Sequence, residues 1–301
     1  MSFYDNLCAL CNELKCEYST EALLKDYTSF KIGGKAEIMV FPDTVENLSK
    51  ITSLAKKESI PVFVLGKGSN LLVNDNGIKG IVINMCNLDK IELINDTIIR
   101  CESGVSLSRL CRFALDNSLT GLEFAFGIPG TAGGAAYMNA GAYGGEMKDV
   151  LVSCEHLNSL GSLSSFVGDE LALGYRHSVY SNSDYVITSL TLKLRKGNKK
   201  DIKTKMDELI SKRKDKQPLE YPSAGSTFKR PEGYFAGALI EQCGLKGYTV
   251  GGAQVSEKHA GFVINLDSAT SKDILDLCLN IQKIVRDDTG FNLELEVELL
   301  K

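Results

Sequence analysis

The sequence predicts an α+β fold in which short strands and amphipathic helices alternate along the whole chain. Three observations support this class. Within about the first 85 residues, strand and helix patterns follow one another in β-α-β order. Short strand-like runs then dominate the middle of the chain, and strands and helices alternate again towards its end. The 301 residues are enough for two or three domains.

The first predicted domain, residues 1–85, begins with a helix over residues 3–16, which carry an apolar stripe of helical spacing. A strand that ends before Pro42 follows. An amphipathic helix comes next, with Asp43 as its candidate N-cap. The runs "IPVFVLG" and "GIVINM" are typical of a buried strand and a further strand. This order predicts a small α/β domain.

The second predicted domain, residues 86–200, is of mixed α+β type. Strands are expected in "KIELIN", "TIIRCESG", "VLVSCEHLN" and "YVITSLTLKL", and a helix in "SLSRLCRFALDNS". A long loop rich in glycine and alanine interrupts them. The third predicted domain, residues 201–301, begins with a charged helix and ends with the strand "LELEVELL".

Composition and charge exclude several classes of protein. The net charge of −4 and the pI of about 5.6 do not favour a nucleic-acid partner. No apolar run approaches the roughly 20 residues that a membrane-spanning helix needs. The first twenty residues lack the basic and long apolar regions of a secretory signal. We therefore expect a cytoplasmic protein with no membrane partner and no obligate protein partner.

The nine cysteines raise the question of a metal site. Cys8, Cys11 and Cys16 come closest to a ligand pattern, but the chain has only three histidines and no second C-x-x-C pair. The alternative is that the cysteines are reduced and act as small apolar side chains. We favour that alternative and predict no metal.

The segment "VFVLGKGSNLLV" places Gly66 and Gly68 directly after a predicted strand. Glycines in such a turn let backbone N–H groups approach a phosphate. A dinucleotide fingerprint of the G-x-G-x-x-G type would need glycine at position 71, which is leucine. The segment alone leaves phosphate binding and a plain hairpin turn both open.

A second glycine-rich segment, "EFAFGIPGTAGGAAYMNAGAYGGE", carries seven glycines between residues 127 and 145. So little side-chain bulk is costly in chain entropy unless the backbone must pass close to something. Aromatic, proline and methionine residues interrupt the run, so it is not a low-complexity linker. A loop that lines a flat aromatic ligand is one interpretation of this composition.

Six segments occur in the order found in one enzyme family: "TSFKIGGKAE", "VLGKGSNLLV", "GIPGTAGGAAYMNAGAYG", "YRHSVY", "YPSAGSTFKRP" and "LELEVELL". The chain thereby resembles the UDP-N-acetylenolpyruvoylglucosamine reductases, in their shorter type. These are NADPH-driven FAD enzymes of peptidoglycan precursor synthesis, and hence of cell wall biogenesis. The resemblance implies a two-part FAD-binding unit of the vanillyl-alcohol-oxidase-like (PCMH-type) class, followed by a smaller α/β substrate-binding domain.

The resemblance also implies site residues. It assigns catalysis to Arg176 in "GYRHSVY", Ser226 in "AGSTF" and Glu296 in "LELEV". The implied FAD contacts are Gly66, Lys67, Gly68, Ser69, Asn70, Gly127, Pro129, Gly130, Thr131, Gly133, Gly134, Ala140 and Gly141. The implied contacts to the UDP-sugar substrate are Lys216, Arg230 and Tyr143.

The implied reaction explains why a serine could act without a histidine. Hydride addition to an enolpyruvyl ether leaves enolate character beside the carboxylate, and that carbon must then receive a proton. An arginine suits the carboxylate, because its planar fork binds both oxygens. Ser226 would donate the proton, so it needs no general base. In this role the serine is an acid and not a nucleophile.

Other interpretations stay open at this point. Arg176 could be a surface cation, Ser226 a turn residue, and Glu296 one acid on the polar face of a strand. The protein could be a flavin oxidase with another substrate, or a nucleotide-sensing module without turnover. No histidine lies near residues 66–70 in the sequence, so we expect the FAD to be bound noncovalently.

Overall fold

The computed structural model describes residues 2–158 and 161–300. The helices in these ranges are α1 (Phe3–Leu14), α2 (Val45–Lys57), α3 (Leu107–Asp116), α4 (Ala132–Tyr137), α5 (Lys199–Lys216), α6 (Ala236–Gln242) and α7 (Ser271–Thr289). The strands are β1 (Glu17–Ser19), β2 (Ala36–Phe41), β3 (Val62–Leu65), β4 (Leu71–Val73), β5 (Ile78–Asn84), β6 (Ile91–Asn95), β7 (Ile98–Glu102), β8 (Leu119–Thr120), β9 (Gly141–Ala142), β10 (Gly145–Glu146), β11 (Leu151–Leu157), β12 (Leu163–Val167), β13 (Val186–Lys193), β14 (Arg195–Lys196), β15 (Thr249–Val250), β16 (Ala253–Val255), β17 (Val263–Asn265) and β18 (Glu298–Leu300).

The chain forms two compact units built from discontinuous segments. Unit 1 consists of Met1–Thr20, Ile38–Gly66 and Gly80–Lys212. Unit 2 consists of Glu21–Glu37, Lys67–Lys79 and Arg213–Lys301. The division into three consecutive domains remains a prediction from the sequence.

Unit 1 contains two sheets. A five-stranded antiparallel sheet has the order β12-β11-β13-β7-β6, and its core includes the fully buried Leu190 and Ile99. A four-stranded sheet has the order β1-β2-β5-β3, in which β3 and β5 are parallel. Its core joins Leu7 of α1, Leu48 of α2 and Ile81 of β5, all fully buried. The apolar faces of α1 and α2 explain why these helices form there.

Unit 2 has its own core around α6, α7 and a three-stranded antiparallel sheet of order β15-β16-β17. Leu277, Ile281 and Val285 lie on one face of α7 and are fully buried. A parallel pair of strands, β4 with β18, joins residues 71–73 to the C-terminal end of the described chain. This pair positions the segment that carries Glu296.

The structure corrects some details of the sequence-based elements. Thr44, not Asp43, caps α2, because the Thr44 backbone is extended and its hydroxyl accepts the Asn47 N–H. The strand β3 is only partly buried, with Val64 46% exposed. The glycine-rich segment is not all loop, since α4 lies within it. The C-terminal strand is short because its pairing partner changes before Glu298.

Candidate functional site

The helix α4 forms the centre of the glycine-rich segment in unit 1. The Thr131 hydroxyl caps this helix by accepting the Gly134 N–H at 3.2 Å. The Gly133 N–H donates to the Ser103 carbonyl at 2.8 Å. A Cβ at Gly133 would lie 2.7 Å from the Ser103 Cβ, so only glycine lets the helix approach this closely.

Gly66 brings the end of β3 against the start of α4. A Cβ at Gly66 would lie 2.5 Å from the Thr131 Oγ1 and 3.2 Å from its Cγ2. The two segments are 65 residues apart in the sequence, yet they touch within unit 1. The structure therefore places two of the predicted FAD-binding segments together.

Residues 67–70 of the first glycine-rich segment belong to unit 2, where residues 27–29 ("YTS") pack against them. Gly68 has a φ of +57°, and a Cβ there would lie 2.3 Å from the Tyr27 carbonyl oxygen. The Ser29 N–H donates to the Gly68 carbonyl at 3.1 Å. Gly68 is therefore needed for close packing of backbone on backbone. Lys67 beside it is exposed and Ser69 is half-buried.

These segments fit a dinucleotide cofactor. Gly134 is exposed and Gly66 is half-buried, whereas Gly133 is buried against Ser103. The backbone at Gly66 and Gly134 carries no bulky side chain, as close approach to a diphosphate requires. A Cβ at Gly134 would meet only the Thr131 Oγ1, at 3.4 Å, which is an ordinary contact. Space beside Gly134 thus remains at the position where a ligand would lie against α4.

The end of the glycine-rich segment is a β-hairpin of β9 and β10. Its two turn residues, Tyr143 and Gly144, have φ values of +53° and +86°. Positive φ at both positions is typical of the tight turns that suit the twist of a hairpin. A Cβ at Gly141 would lie 2.8 Å from the Gly145 carbonyl oxygen, so Gly141 serves the hairpin itself. Tyr143 is 44% exposed at the tip.

Arg176 occupies the tip of another two-residue turn in unit 1. Gly174 and His177 exchange backbone hydrogen bonds of 3.0 and 3.3 Å on either side of it. Arg176 has a φ of +53°, which is uncommon for a residue with a side chain. Its guanidinium carbon lies 5.1 Å from the centroid of the Tyr175 ring. The hydrogen bonds of this turn hold the backbone of Arg176 in one conformation.

Asn139 holds the backbone of the turn that carries Arg176. It is fully buried, and its Nδ2 donates to the Gly174 carbonyl at 2.9 Å and to the Glu146 carboxylate at 3.0 Å. Its Oδ1 accepts the Lys148 N–H at 2.8 Å. One side chain thus joins the Arg176 turn to the hairpin of β9 and β10. The sequence analysis missed this role, although an asparagine within "YMNAGAYG" stands out among small and aromatic residues.

Ser226 is exposed in unit 2 and is held by the buried residue that follows it. Gly225 before it has a φ of +77°. Thr227 is almost completely buried, and its N–H donates to the Gly261 carbonyl at 2.9 Å. The Thr227 hydroxyl also accepts the Val263 N–H at 2.9 Å. These bonds fix the backbone from which the Ser226 hydroxyl extends.

Glu296 lies on the strand segment next to Ser226. The Glu296 N–H donates to the Thr227 carbonyl at 2.9 Å. Phe228 and Leu295 form an antiparallel bridge beside this bond. The Asn70 side-chain amide donates to the Glu296 carbonyl at 2.9 Å. The structure therefore brings together, within unit 2, Asn70, Thr227 and Glu296, which are 69 or more positions apart in the sequence.

His259 lies two residues before Gly261, which is the hydrogen-bond partner of Thr227. Its ring forms a hydrogen bond elsewhere. His259 Nδ1 accepts the Gly261 N–H at 3.0 Å, and its ring faces Gly237. Burial lowers the pKa of His259, so the ring is neutral at ordinary pH. This arrangement does not pair His259 with Ser226 as a nucleophile–base pair would.

The predicted substrate contacts in unit 2 are both exposed. The Arg230 guanidinium carbon lies 5.0 Å from the centroid of the Phe235 ring, which is 62% exposed. Lys216 is the last residue of α5. Neither side chain is buried, so both are open to a ligand from solvent.

All nine cysteines lie in the described ranges as free thiols. Burial raises the pKa of the thiols of Cys154 and Cys278 to about 12, which makes them unreactive at neutral pH. Among residues 2–158 and 161–300, no group of three histidine, cysteine or acidic side chains is placed to hold a metal ion. No helix of the described chain is long and apolar enough to cross a membrane.

Comparison with known proteins shows first the class of protein and then the family. Residues 36–166 match the model of a FAD binding domain, so the chain is a flavoprotein of the FAD-binding type. Residues 217–300 match the C-terminal domain of UDP-N-acetylenolpyruvoylglucosamine reductase. The chain belongs to the UDP-N-acetylenolpyruvoylglucosamine reductase family.

Individual relatives support this assignment over nearly the full length. The UDP-N-acetylenolpyruvoylglucosamine reductase of Clostridium novyi is 49% identical, over 95% of this chain and 92% of its own. That of Syntrophomonas wolfei is 48% identical, over 92% of this chain and 93% of its own. The crystal structure of the Thermus caldophilus enzyme has a TM-score of 0.81 and 37% identity, and covers 95% of this chain and 99% of that one.

These comparisons confirm three predictions from the sequence. The family is the one that the six segments indicated. The fold is α+β, with a PCMH-type FAD-binding unit and a C-terminal α/β domain. The cofactor is FAD, with NADPH as the reductant in this family. The roles of individual residues stay predictions.

The contacts of Asn139 predict a large effect on stability. Asn139→Ala would leave the Gly174 carbonyl, the Glu146 carboxylate and the Lys148 N–H without this buried partner. It would also place alanine at a φ of +43°. We expect the free energy of unfolding to fall by about 2 to 4 kcal/mol, measured by urea denaturation.

The matched control for Asn139 is Asn87→Ala at an exposed asparagine. Its effect should stay within about 0.5 kcal/mol. Equal effects of the two substitutions would contradict the stabilising role assigned to the buried hydrogen bonds of Asn139.

Proposed function

We propose that this chain reduces the enolpyruvyl ether of UDP-N-acetylenolpyruvoylglucosamine to the lactyl ether of UDP-N-acetylmuramate, with electrons from NADPH. The observation that carries the proposal is the family membership over nearly the full chain. FAD, when bound, supplies the hydride that reaches the vinyl methylene carbon. The product serves peptidoglycan precursor synthesis, and we propose the cytoplasm as the site of the reaction.

Arg176 is proposed to bind the substrate carboxylate. Its guanidinium can donate two parallel hydrogen bonds to the two carboxylate oxygens. Negative charge spreads onto that carboxylate when the neighbouring carbon gains enolate character, so the same bonds strengthen as the reaction proceeds. The turn between Gly174 and His177 and the buried Asn139 support this role, because they pre-organise the arginine before substrate binds.

Glu296 is proposed to act on the same developing charge. A carboxyl group stabilises an enolate only when it carries or shares a proton. Its position on a hydrogen-bonded segment beside Thr227 supports this role, because the backbone of Glu296 is fixed on two sides.

Ser226 is proposed to deliver the proton to the carbon beside the carboxylate. The exposed hydroxyl, the positive φ of Gly225 and the anchored Thr227 support this role, because they hold a small acid at a defined place. A hydroxyl is a weak acid, but an enolate carbon is basic enough to accept its proton when the two are aligned. The serine oxygen would then be reprotonated from solvent.

The remaining assignments rest on the family resemblance and on exposure. Lys216, Arg230 and Tyr143 are proposed to contact the UDP-sugar, which carries a diphosphate that suits cations. The glycine segments around Gly66–Asn70 and Gly127–Gly141 are proposed to hold the FAD noncovalently.

The proposed function predicts two separable half-reactions. Under anaerobic conditions, NADPH should bleach the yellow flavin of the purified holoenzyme. UDP-N-acetylenolpyruvoylglucosamine should then restore the colour, while a simple enoate should not. Stopped-flow absorbance measures both rates. A flavin that is reduced but reoxidised equally by simple enoates would point to an oxidoreductase with another substrate.

Arg176→Ala and Glu296→Ala should slow reoxidation far more than they slow reduction by NADPH. Each removes a group that stabilises charge, which costs about 3 kcal/mol, or on the order of 10²-fold in rate. Arg112→Ala, at an exposed arginine of α3, is the control and should change neither rate. Equal losses in both half-reactions would contradict the proposed roles.

Ser226→Ala removes the proton donor with little change of volume. Folding, FAD content and reduction by NADPH should survive, while reoxidation should fall by about 10²-fold or more. Ser226→Cys should recover part of the rate, because a thiol can also donate a proton. Ser165→Ala on the exposed strand β12 is the control. Reoxidation of Ser226→Ala at the parental rate would mean that another group delivers the proton.

A further inference from the structure

The segment that carries Glu296 changes its pairing partner at that residue. Up to Glu296 it pairs antiparallel with residues 227–229: the Lys229 N–H donates to the Glu294 carbonyl at 2.8 Å, and the Glu296 N–H to the Thr227 carbonyl. From Glu298 onwards it pairs in parallel with β4. The peptide that follows Glu296 lies at the switch between the two pairings.

At this switch the Glu296 carbonyl accepts a hydrogen bond from a side chain. In a regular antiparallel ladder, Thr227 and Glu296 would exchange two hydrogen bonds. Only one forms, because the Thr227 N–H donates to the Gly261 carbonyl at 2.9 Å instead. The Glu296 carbonyl therefore takes its hydrogen bond from a side chain, the Asn70 Nδ2 at 2.9 Å.

Asn70 holds the segment on both sides of the switch. Its side chain binds the Glu296 carbonyl, and its own backbone carbonyl accepts the Glu298 N–H at 2.9 Å. These two bonds bracket Val297, whose side chain is buried in the core of unit 2. The peptide plane after Glu296 is thereby fixed, and with it the direction in which the Glu296 side chain leaves the backbone.

We propose that Asn70 is a positioning residue for Glu296, acting through its side-chain amide. This inference rests on the proposed function, in which Glu296 acts on the substrate. An amide suits the position because a carbonyl needs a donor, and neither aspartate nor alanine can supply one at neutral pH. Asn70 thus couples the glycine segment at 66–70 to the catalytic glutamate.

The test is a double-mutant cycle on the holoenzyme, with reduction by NADPH and reoxidation by UDP-N-acetylenolpyruvoylglucosamine measured separately. Asn70→Ala should slow reoxidation by on the order of 10-fold, because a small misplacement of a catalytic group has effects of at least this size. Because Asn70 also lies in the proposed FAD-binding segment, both half-reactions are compared per bound FAD, and the loss in reoxidation should be several-fold larger than the loss in reduction by NADPH. In the Glu296→Ala background the same substitution should slow reoxidation less than about twofold, since no carboxyl remains to be positioned.

Two further variants sharpen this test. Asn70→Asp keeps the size of the side chain but removes the donor, so it should reproduce the pattern of Asn70→Ala. It also serves if Asn70→Ala does not fold. Asn74→Ala is the matched control at the other end of β4, where the side chain accepts the Asn76 N–H at 2.8 Å. Asn74→Ala should leave both half-reactions unchanged.

The outcomes separate the inference from the proposed function. If the parental flavin is not reoxidised by the substrate, the proposed function is wrong. If it is reoxidised, but the effects of Asn70→Ala and Glu296→Ala multiply, Asn70 acts through the flavin or the fold, and the positioning role is overturned. A loss of reduction by NADPH in Asn70→Asp as large as its loss of reoxidation would overturn it as well.

Discussion

The C-terminal segment of the described chain depends on one constraint, that every strand carbonyl and N–H must find a partner. Residues 294–300 pair with two different strands. At the change of partner, the Asn70 side-chain amide donates a hydrogen bond to the Glu296 carbonyl. Because backbone groups left without a hydrogen bond are costly, this bond stabilises the chain at the switch. The position of Glu296 follows from that switch and not from its own side chain.

A similar arrangement supports Arg176 in the other unit. There the buried Asn139 binds the carbonyl of Gly174, two residues before the arginine. In both places an asparagine that is remote in sequence holds the backbone of a proposed catalytic residue. Asparagine suits the task because it offers a donor and an acceptor on a short side chain. The proposed functional side chains themselves are exposed or half-buried.

The sequence predicted much of the fold because apolar periodicity is local. The helices α2 and α3 and the strands β6, β7, β11 and β13 occur where their patterns indicated. It could not predict which residue caps α2, since Asp43 and Thr44 are both good caps and backbone geometry decides between them. It also could not predict α4, because glycine and alanine give no apolar stripe. That helix forms because its backbone packs closely against Ser103.

For the candidate site, the sequence predicted which residues could act but not the hydrogen bonds that hold their backbone. Ser226 and Glu296 could be named from their motifs, whereas the bond from Glu296 to Thr227 depends on long-range pairing. Asn70 stood among the FAD contacts that the family resemblance implied. Its side-chain bond to the Glu296 carbonyl spans 226 positions in the sequence, and no local pattern can indicate a contact of that range.

The contacts around Ser226 explain why a serine without a general base is chemically reasonable at this position. A nucleophilic serine needs a partner that removes its proton, and His259 is turned towards Gly261 and Gly237 instead. A proton donor needs only a fixed position beside a basic carbon. Thr227 provides that fixed position through three backbone-directed hydrogen bonds, one of which comes from Glu296. The hydrogen bond from the Glu296 N–H to the Thr227 carbonyl thus connects the segment of the proposed acid directly to the segment of the proposed carboxyl group.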